Sequence, residues 1–470
     1  MVRVPGRYVE FGDSIHPWTI ETLFHQYLLT PYARDKLDKS LVCGEFDTLA
    51  RLLDCINAIE DAEADIYLRK MDVLDELTRI AYRQFHWQRG YLNVANYYRS
   101  AYIFGQGECS TRFAGAYGLS INEFSLAGFA LVSQANKPPG IPRSQRFDML
   151  DLRPEAYELA LQRLAAPIAE LRRLAAQRHV SRLPVAYQPS VLREYPLVAF
   201  EPGFVVPVPA LIQLRTTSGI YYDLVGLGGG IKEEIGRRFE NYSLEFLQKM
   251  MGGDLDISAA VRYGRKGHMQ DSPDILVRKN QALELIVECK SKKLSFEDQY
   301  GSDRWSSHGF AELVKGVQQI WKFASDVRRG LVLNERTAPQ LHGAVLTLDS
   351  WGQMSRDALN VALERAAVNC TQMEGFEECD TIPVALCSIE ELESAAEHAT
   401  PNNLLQAVKI AGTKKWNERM LSHVLKENEL WSSEARAYPF KDRIGEVLPW
   451  WKSFPTGDRA ETDPMAANVK

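Results

Sequence analysis

Residues 273–292, PDILVRKNQALELIVECKSK, hold two apolar runs separated by a short polar break around Asn280. Both runs are rich in Ile, Leu and Val and have the length of strands, so together they read as a hairpin buried inside a sheet. Yet Asp274 opens the first run, and Glu288 and Lys290 close the second. Burying charged groups is costly unless they are paired or hold a metal. Whatever surrounds this hairpin must offset that cost.

The chain has 470 residues, too many for one ordinary core, so two or three domains are expected. A composition of 45% hydrophobic and 25% charged residues fits a soluble globular protein. The sequence has no apolar run long enough for a membrane helix, and the stretch MVRVPGRYVEFGDS lacks a signal-peptide core. Seven scattered cysteines without CxxC spacing predict reduced core residues in a cytoplasmic setting. A net charge of −6 argues against a general nucleic-acid coat, but residues 262–293 carry eight basic side chains against four acids. That local +4 coincides with the buried carboxylates, although a solvated charged hairpin would give the same count.

Residues 1–194 are expected to be mainly helical, with amphipathic stretches at 47–85 and 154–179. Within 113–132, Ser120 and Glu123 make a capping box between two helices. The arrangement is that of a helix-turn-helix unit, but its second helix offers no Arg or Lys to phosphates or guanine edges. A packing corner is therefore the favoured reading. Residues 195–230 read as a β-rich connector, with LIQLR and IYYDLV forming a hairpin and GLGGG acting as a hinge or helix entrance. From 231 to 400 the elements alternate: a helix at 231–250, strands at 257–263, 274–279 and 283–289, and a helix at 310–328. A strand at 343–348, a helix at 355–368 and a strand at 382–387 follow, and Ser388 with Glu391 opens another helix. A helical region at 401–454 and a disordered tail at 455–470 complete the expected order.

Along a strand, side chains alternate, so Glu288 and Lys290 share one face. Pro273 forces an extended lead-in, and a short turn brings Asp274 beside Glu288. Two neighbouring carboxylates repel unless a cation lies between them. Their hard oxygens suit Mg²⁺ or Mn²⁺, with waters completing the shell. A lysine beside them can orient an attacking water and stabilise charge on a phosphate.

These residues resemble the PD-(D/E)XK nuclease superfamily, the restriction-endonuclease-like fold. The match is carried by Pro273-Asp274 and Glu288-Cys289-Lys290, with 14 residues from Asp to Glu, inside a helix, three strands, helix, strand order. The resemblance covers about 220–400 and implies an αβββαβ nuclease core, a mixed sheet flanked by helices, between a helical N-terminal domain and a helical C-terminal extension. It also implies an accessory acid on the first core helix. Glu240, at the margin of the apolar stripe Ile235, Phe239, Tyr242 and Phe246, is the candidate, with Glu233 in reserve. Asp274, Glu288 and Glu240 would then hold the metal, Lys290 would handle the water, and either Gln318 or Gln319 on the next helix would assist. Arg262, Arg265, Lys266, Lys292, Lys293, Lys315 and Lys322 are the candidate phosphate contacts.

The resemblance thus implies a metal-dependent endonuclease of the kind found in bacterial antiphage defence. Its substrate is nucleic acid, DNA or RNA, and its helical first region would recognise a target or a protein trigger. A homodimer is in keeping with it, and no membrane is. A ribonuclease acting on structured RNA such as tRNA, and a non-catalytic nucleic-acid-binding regulator on the same scaffold, are the alternatives. Dispersed histidines without an HExxH pattern and the lack of GxSxG weigh against zinc hydrolases and serine nucleophiles.

Overall fold

The computed structural model describes residues 15–31, 46–68, 73–89, 93–136, 140–147, 150–265, 267–301, 308–350, 356–417 and 419–453. The expected disordered tail and the N-terminal stretch up to Ser14 lie outside them. No helix among the described residues is long and apolar enough to cross a membrane.

The first region is helical: α1 (Pro17–Leu29), α2 (Phe46–Leu68), α3 (Val73–Arg89), α4 (Val94–Phe104), α5 (Gly107–Tyr117) and α6 (Ile121–Ala135). Ser120 caps α6 as expected: its hydroxyl accepts from the Glu123 amide, and the Glu123 carboxylate accepts from the Ser120 amide at 2.8 Å. Helix α6 is buried along most of its length, as a packing corner requires. After β1 (Gly140–Pro142), the stretch read as one helix at 154–179 is two, α7 (Pro154–Leu164) and α8 (Ile168–Arg178). Pro167 cannot donate an interior helical hydrogen bond, so residues Ala165–Pro167 form strand β2 instead.

The connector departs further from expectation. Strands β3 (Leu197–Ala199) and β4 (Gly203–Val205) join β1 and β2 in a small sheet of order β1-β4-β3-β2. The segments read as a hairpin are two short helices, α9 (Ala210–Thr216) and α10 (Ile220–Gly226). Their β-branched and aromatic side chains suit a strand, but Leu211, Ile212, Ile220, Tyr221 and Leu224 recur at helical spacing and are all buried. Burial decides over propensity here. Gly228, Gly229 and Gly230 all take positive φ, and Gly230 begins the next helix from the left-handed region, the helix-entrance role expected of GLGGG.

The central sheet follows α11 (Ile231–Met251). Its strands are β5 (Leu255–Ala259), β8 (Ile275–Lys279), β9 (Ala282–Lys290), β10 (Thr337–Thr347) and β11 (Val384–Ser388), in order β11-β10-β9-β8-β5. The pairs β5–β8 and β8–β9 are antiparallel, and β9–β10 and β10–β11 are parallel, so the sheet is mixed. The strand expected at 257–263 is interrupted: β5 ends at Ala259, and β6 (Arg262–Arg265) pairs with β7 (His268–Asp271) in a separate hairpin. Helix α12 (Phe296–Tyr300) precedes α13 (His308–Arg328), and α14 (Arg356–Cys370) separates β10 from β11.

Helices cover both faces of this sheet. Val277, Leu285, Val287 and Cys289 share a core with Ile235, Phe239 and Phe246 of α11. Leu276, Ile286 and Val345 share another with Leu313, Val317 and Ile320 of α13. The chain then continues through α15 (Ile389–Glu397), capped by Ser388, and α16 (Pro401–Ala411), α17 (Leu421–Glu427) and α18 (Ile444–Val447). The α11-side core also takes in Tyr97 and Phe124 from the first region and Phe440 and Trp450 from the last. Within it Arg99 and the Tyr242 hydroxyl both donate to Glu393, and Tyr242 meets the Tyr438 hydroxyl at 2.7 Å. The three regions are bound through one buried polar network.

Candidate functional site

Strand register assembles the site. The β8–β9 turn is two residues long, with Asn280 and Gln281 both at positive φ, the form that matches strand twist in a tight hairpin. Ile275 then pairs with Val287, which sets Asp274 at the level of Glu288. Asp274 Oδ2 accepts a hydrogen bond from the Cys289 amide at 2.7 Å, locking the two strands at that end. Glu288 and Lys290 project on the same side, and Lys290 Nζ donates to Glu288 Oε1 at 2.8 Å.

Burial makes this cluster electrostatically tense. Glu288 is 3% exposed and Lys290 8%, and Glu288 Oε2 has no hydrogen-bond partner. Burial first, and then the negative charge of Asp274, push the Glu288 carboxyl up to about 7 in spite of Lys290. Burial likewise holds Asp274 above the usual carboxylate range, against the pull of the Cys289 amide and Lys290. One ammonium does not compensate both carboxylates.

Helix α13 settles which glutamine belongs to the site. Lys290 Nζ donates to Gln319 Oε1 at 2.7 Å, so Gln319 joins the cluster and Gln318 does not share that contact. A β-carbon at Gly316 would lie 3.1 Å from Lys290 Cε and 3.2 Å from a Val345 methyl. The missing side chain is what lets α13 approach the lysine. Gly316→Ala sets two effects against each other: roughly 1 kcal/mol of gained helix propensity and roughly 1–3 kcal/mol of overpacking. The expected result is a thermal midpoint that is unchanged or lowered by the equivalent of no more than roughly 2 kcal/mol. A melting curve checks this, and a clear rise in midpoint would show that Gly316 does not pack tightly on Lys290.

Glu240 lies on α11, on the other side of the sheet from α13. It is half-buried, and its carboxyl is raised by burial and then by Asp274, so it shares the same field. The reserve candidate, Glu233, is exposed. Part of the polar side of α11 is engaged. Glu234 pairs with Arg237 and Arg238 at 2.6 Å each, and Glu245 accepts from the Tyr102 hydroxyl at 2.6 Å, tying α11 to α4.

The candidate phosphate contacts divide. Arg262, Arg265 and Lys315 are exposed, with Arg262 3.4 Å from Asp271 across its hairpin. Lys292 is half-buried, and Lys266 lies outside the described residues. Two others are already committed elsewhere. Lys322 donates to Asp326 and Gln270, and Lys293 is turned inward toward Asp349 at 3.6 Å with its side chain 7% exposed. For Lys293 the sequence shows the cation's position but not the distant acid that claims it.

Among the described residues, no three His, Cys, Asp or Glu side chains form a group that could hold a metal ion. Asp274, Glu288 and Glu240 thus do not form the expected three-acid set, because Glu240 comes from the helix behind the sheet. Asp274 and Glu288 alone fit Mg²⁺, which usually takes one or two carboxylates and keeps several waters. The partnerless Glu288 oxygen and the mutual repulsion of the acids are what a cation there would relieve. No protein-family model, curated protein or solved structure matches the chain.

Proposed function

We propose that the protein is a divalent-metal-dependent endonuclease of the PD-(D/E)XK type, hydrolysing phosphodiester bonds in nucleic acid. The observation that carries the reading is the meeting of Asp274, Glu288, Lys290 and Gln319 at one end of the β8–β9 pair, with Glu240 in the same field. A structural ion pair alone explains it poorly. In a structural ion pair both carboxylate oxygens would ordinarily be partnered, whereas Glu288 Oε2 is not, and the carboxyl is pushed up to about 7 beside a second buried acid.

Asp274 and Glu288 are the residues that would hold Mg²⁺ or Mn²⁺, and such an ion supplies charge neutralisation at the phosphate and lowers the pKa of water. The chain's own groups do the rest. Lys290 has three N–H donors, and Glu288 and Gln319 take two of them. The third can be directed at an attacking water or a phosphate oxygen. Gln319 positions the ammonium, and Glu240 adds negative field that favours cation binding. These groups act on the phosphate and not on the sugar, so DNA and RNA are both candidate substrates.

The test is incubation of the full chain with duplex DNA, single-stranded DNA and total RNA including tRNA, each with Mg²⁺, Mn²⁺ or EDTA, beside Asp274→Ala. Metal-dependent cleavage that Asp274→Ala loses supports the proposal, and cleavage equal in Asp274→Ala sinks it. Within the site, Glu240→Gln should raise the metal concentration needed for half-maximal rate. Glu234→Gln should instead cost up to about 1 kcal/mol of stability by weakening its arginine pairs, with metal dependence unchanged. Equal effects on metal dependence would remove Glu240 from the mechanism.

A further inference from the structure

A separate chamber is walled by other residues than those of the carboxylate cluster. It is a cavity of about 540 Å³ between the helical first region and the loops that follow β9 and β10. That size falls within the range of small-molecule sites. None of Asp274, Glu288, Lys290, Gln319 or Glu240 lines it.

Its most informative residue is His25 on α1, which lines the cavity, is 2% exposed and has no hydrogen-bond partner at either ring nitrogen. Burial, and then nearby His179, lower its pKa to about 4, so the ring is neutral near pH 7 with one donor and one acceptor unused. A buried side chain with two unused polar atoms is unfavourable without a ligand or water to meet them.

The groups around His25 indicate the ligand's chemistry. Arg83 also lines the cavity, and it donates to Thr22, one turn before His25, and to Glu60, which is not part of the wall. Arg99 is held in the same way by Glu393, another acid outside the wall. The wall itself carries six Arg and Lys side chains against five acids, and these two guanidinium groups are held in fixed orientation by acids outside it, an arrangement suited to a phosphate. Beside them Tyr187 and Tyr300 stack at 5.5 Å and 20°, forming an aromatic wall for a planar ring. Lys293 and Asp349 belong to the same wall, three residues beyond Lys290 and two beyond the end of β10.

We propose that this cavity binds a nucleotide, its base against the Tyr187–Tyr300 wall and its phosphate near Arg83, Arg99 and His25. The site shares no residue with the nuclease cluster, so its test does not depend on cleavage. Titration calorimetry of the full chain in EDTA with AMP, GMP and ATP, beside adenosine and inorganic phosphate, measures it directly. At least one nucleotide is expected to bind with a Kd of about 100 µM or tighter, with adenosine and phosphate each at least roughly 10-fold weaker. His25→Leu, which removes no partner from another residue, should weaken nucleotide binding at least roughly 10-fold with the thermal midpoint unchanged or raised. His25→Gln, which can still donate and accept, should recover part of the loss. No nucleotide binding at about 1 mM, equal binding of adenosine, or undiminished binding by a folded His25→Leu protein would each overturn the proposal.

Discussion

Glu288→Gln is expected to abolish cleavage and, in metal-free buffer, to raise thermal stability at pH 8. The carboxyl is 3% exposed, has one oxygen without a partner and is driven to about 7 by burial and Asp274 even with Lys290 at 2.8 Å. A carboxyl whose folded pKa lies above its unfolded value of 4.5 opposes folding once it ionises. Below the unfolded value both states hold the proton and no penalty exists. Between 4.5 and about 7 the unfolded state releases its proton first, so stability falls as pH rises. Above that window the penalty is complete, on the order of 3 kcal/mol. Glutamine keeps an acceptor for the ammonium and removes the charge. The metal-free wild type should therefore lose thermal midpoint between pH 5.5 and pH 8, and the variant should lose much less. Adding Mg²⁺ should raise the wild-type midpoint more at pH 8 than at pH 5.5 and leave the variant nearly unmoved. Cleavage by the variant should drop by roughly 10³-fold or more, the scale of a lost metal ligand. An identical pH slope in the two proteins would show that the destabilising charge lies elsewhere.

The parts of this site that sequence made legible are those fixed by short-range geometry. Proline before Asp274, period-two alternation and a two-residue turn are enough to bring Asp274, Glu288 and Lys290 together, because strand register leaves little freedom. Glu240 was legible as the margin of a helical stripe, although the wheel does not tell that its helix lies on the far side of the sheet from Gln319. The choice between Gln318 and Gln319 was not legible. It depends on the rotation of α13 against β9, which Gly316 and its neighbours determine by close contact. The connector was misread because Ile220, Tyr221 and Tyr222 have strand-forming side chains, and only the surrounding core selects a helix. Lys293 reads as a phosphate ligand because Asp349 lies far away in sequence, whereas the partner of Lys322, Asp326, lies one turn along α13 and is within reach of helical spacing. The cavity around His25 left no sequence signal, since its walls come from segments spread between Trp18 and Glu390.

Lys290 separates a catalytic reading of the cluster from a structural one more sharply than either acid does. If its ammonium is directed at the reacting phosphate or water, Lys290→Ala should lose about 10²–10³ in rate while the protein still binds metal. Arginine should not restore that rate. Its guanidinium is planar and larger than the ammonium, and it presents its donors in a different geometry. Glu288 Oε1 and Gln319 Oε1 are also placed for a compact ammonium at 2.8 and 2.7 Å. If instead the lysine only neutralises Glu288, Lys290→Ala should act mainly on stability. It would leave a buried carboxylate without its cation, a loss of roughly 3–5 kcal/mol, partly relieved by protonation of an acid already driven to about 7. Without Lys290 to lower it, the Glu288 carboxyl rises above about 7, so the stability cost of Lys290→Ala falls as pH drops toward 7 and levels off below it, whereas a rate defect from a missing phosphate contact persists at every pH where the wild type cleaves. Metal binding by calorimetry, cleavage rate and thermal midpoint, each measured for Lys290→Ala and Lys290→Arg across pH 6–8, resolve the two. Near-normal cleavage in Lys290→Arg would take the lysine out of the chemistry and leave it as the counter-ion of Glu288.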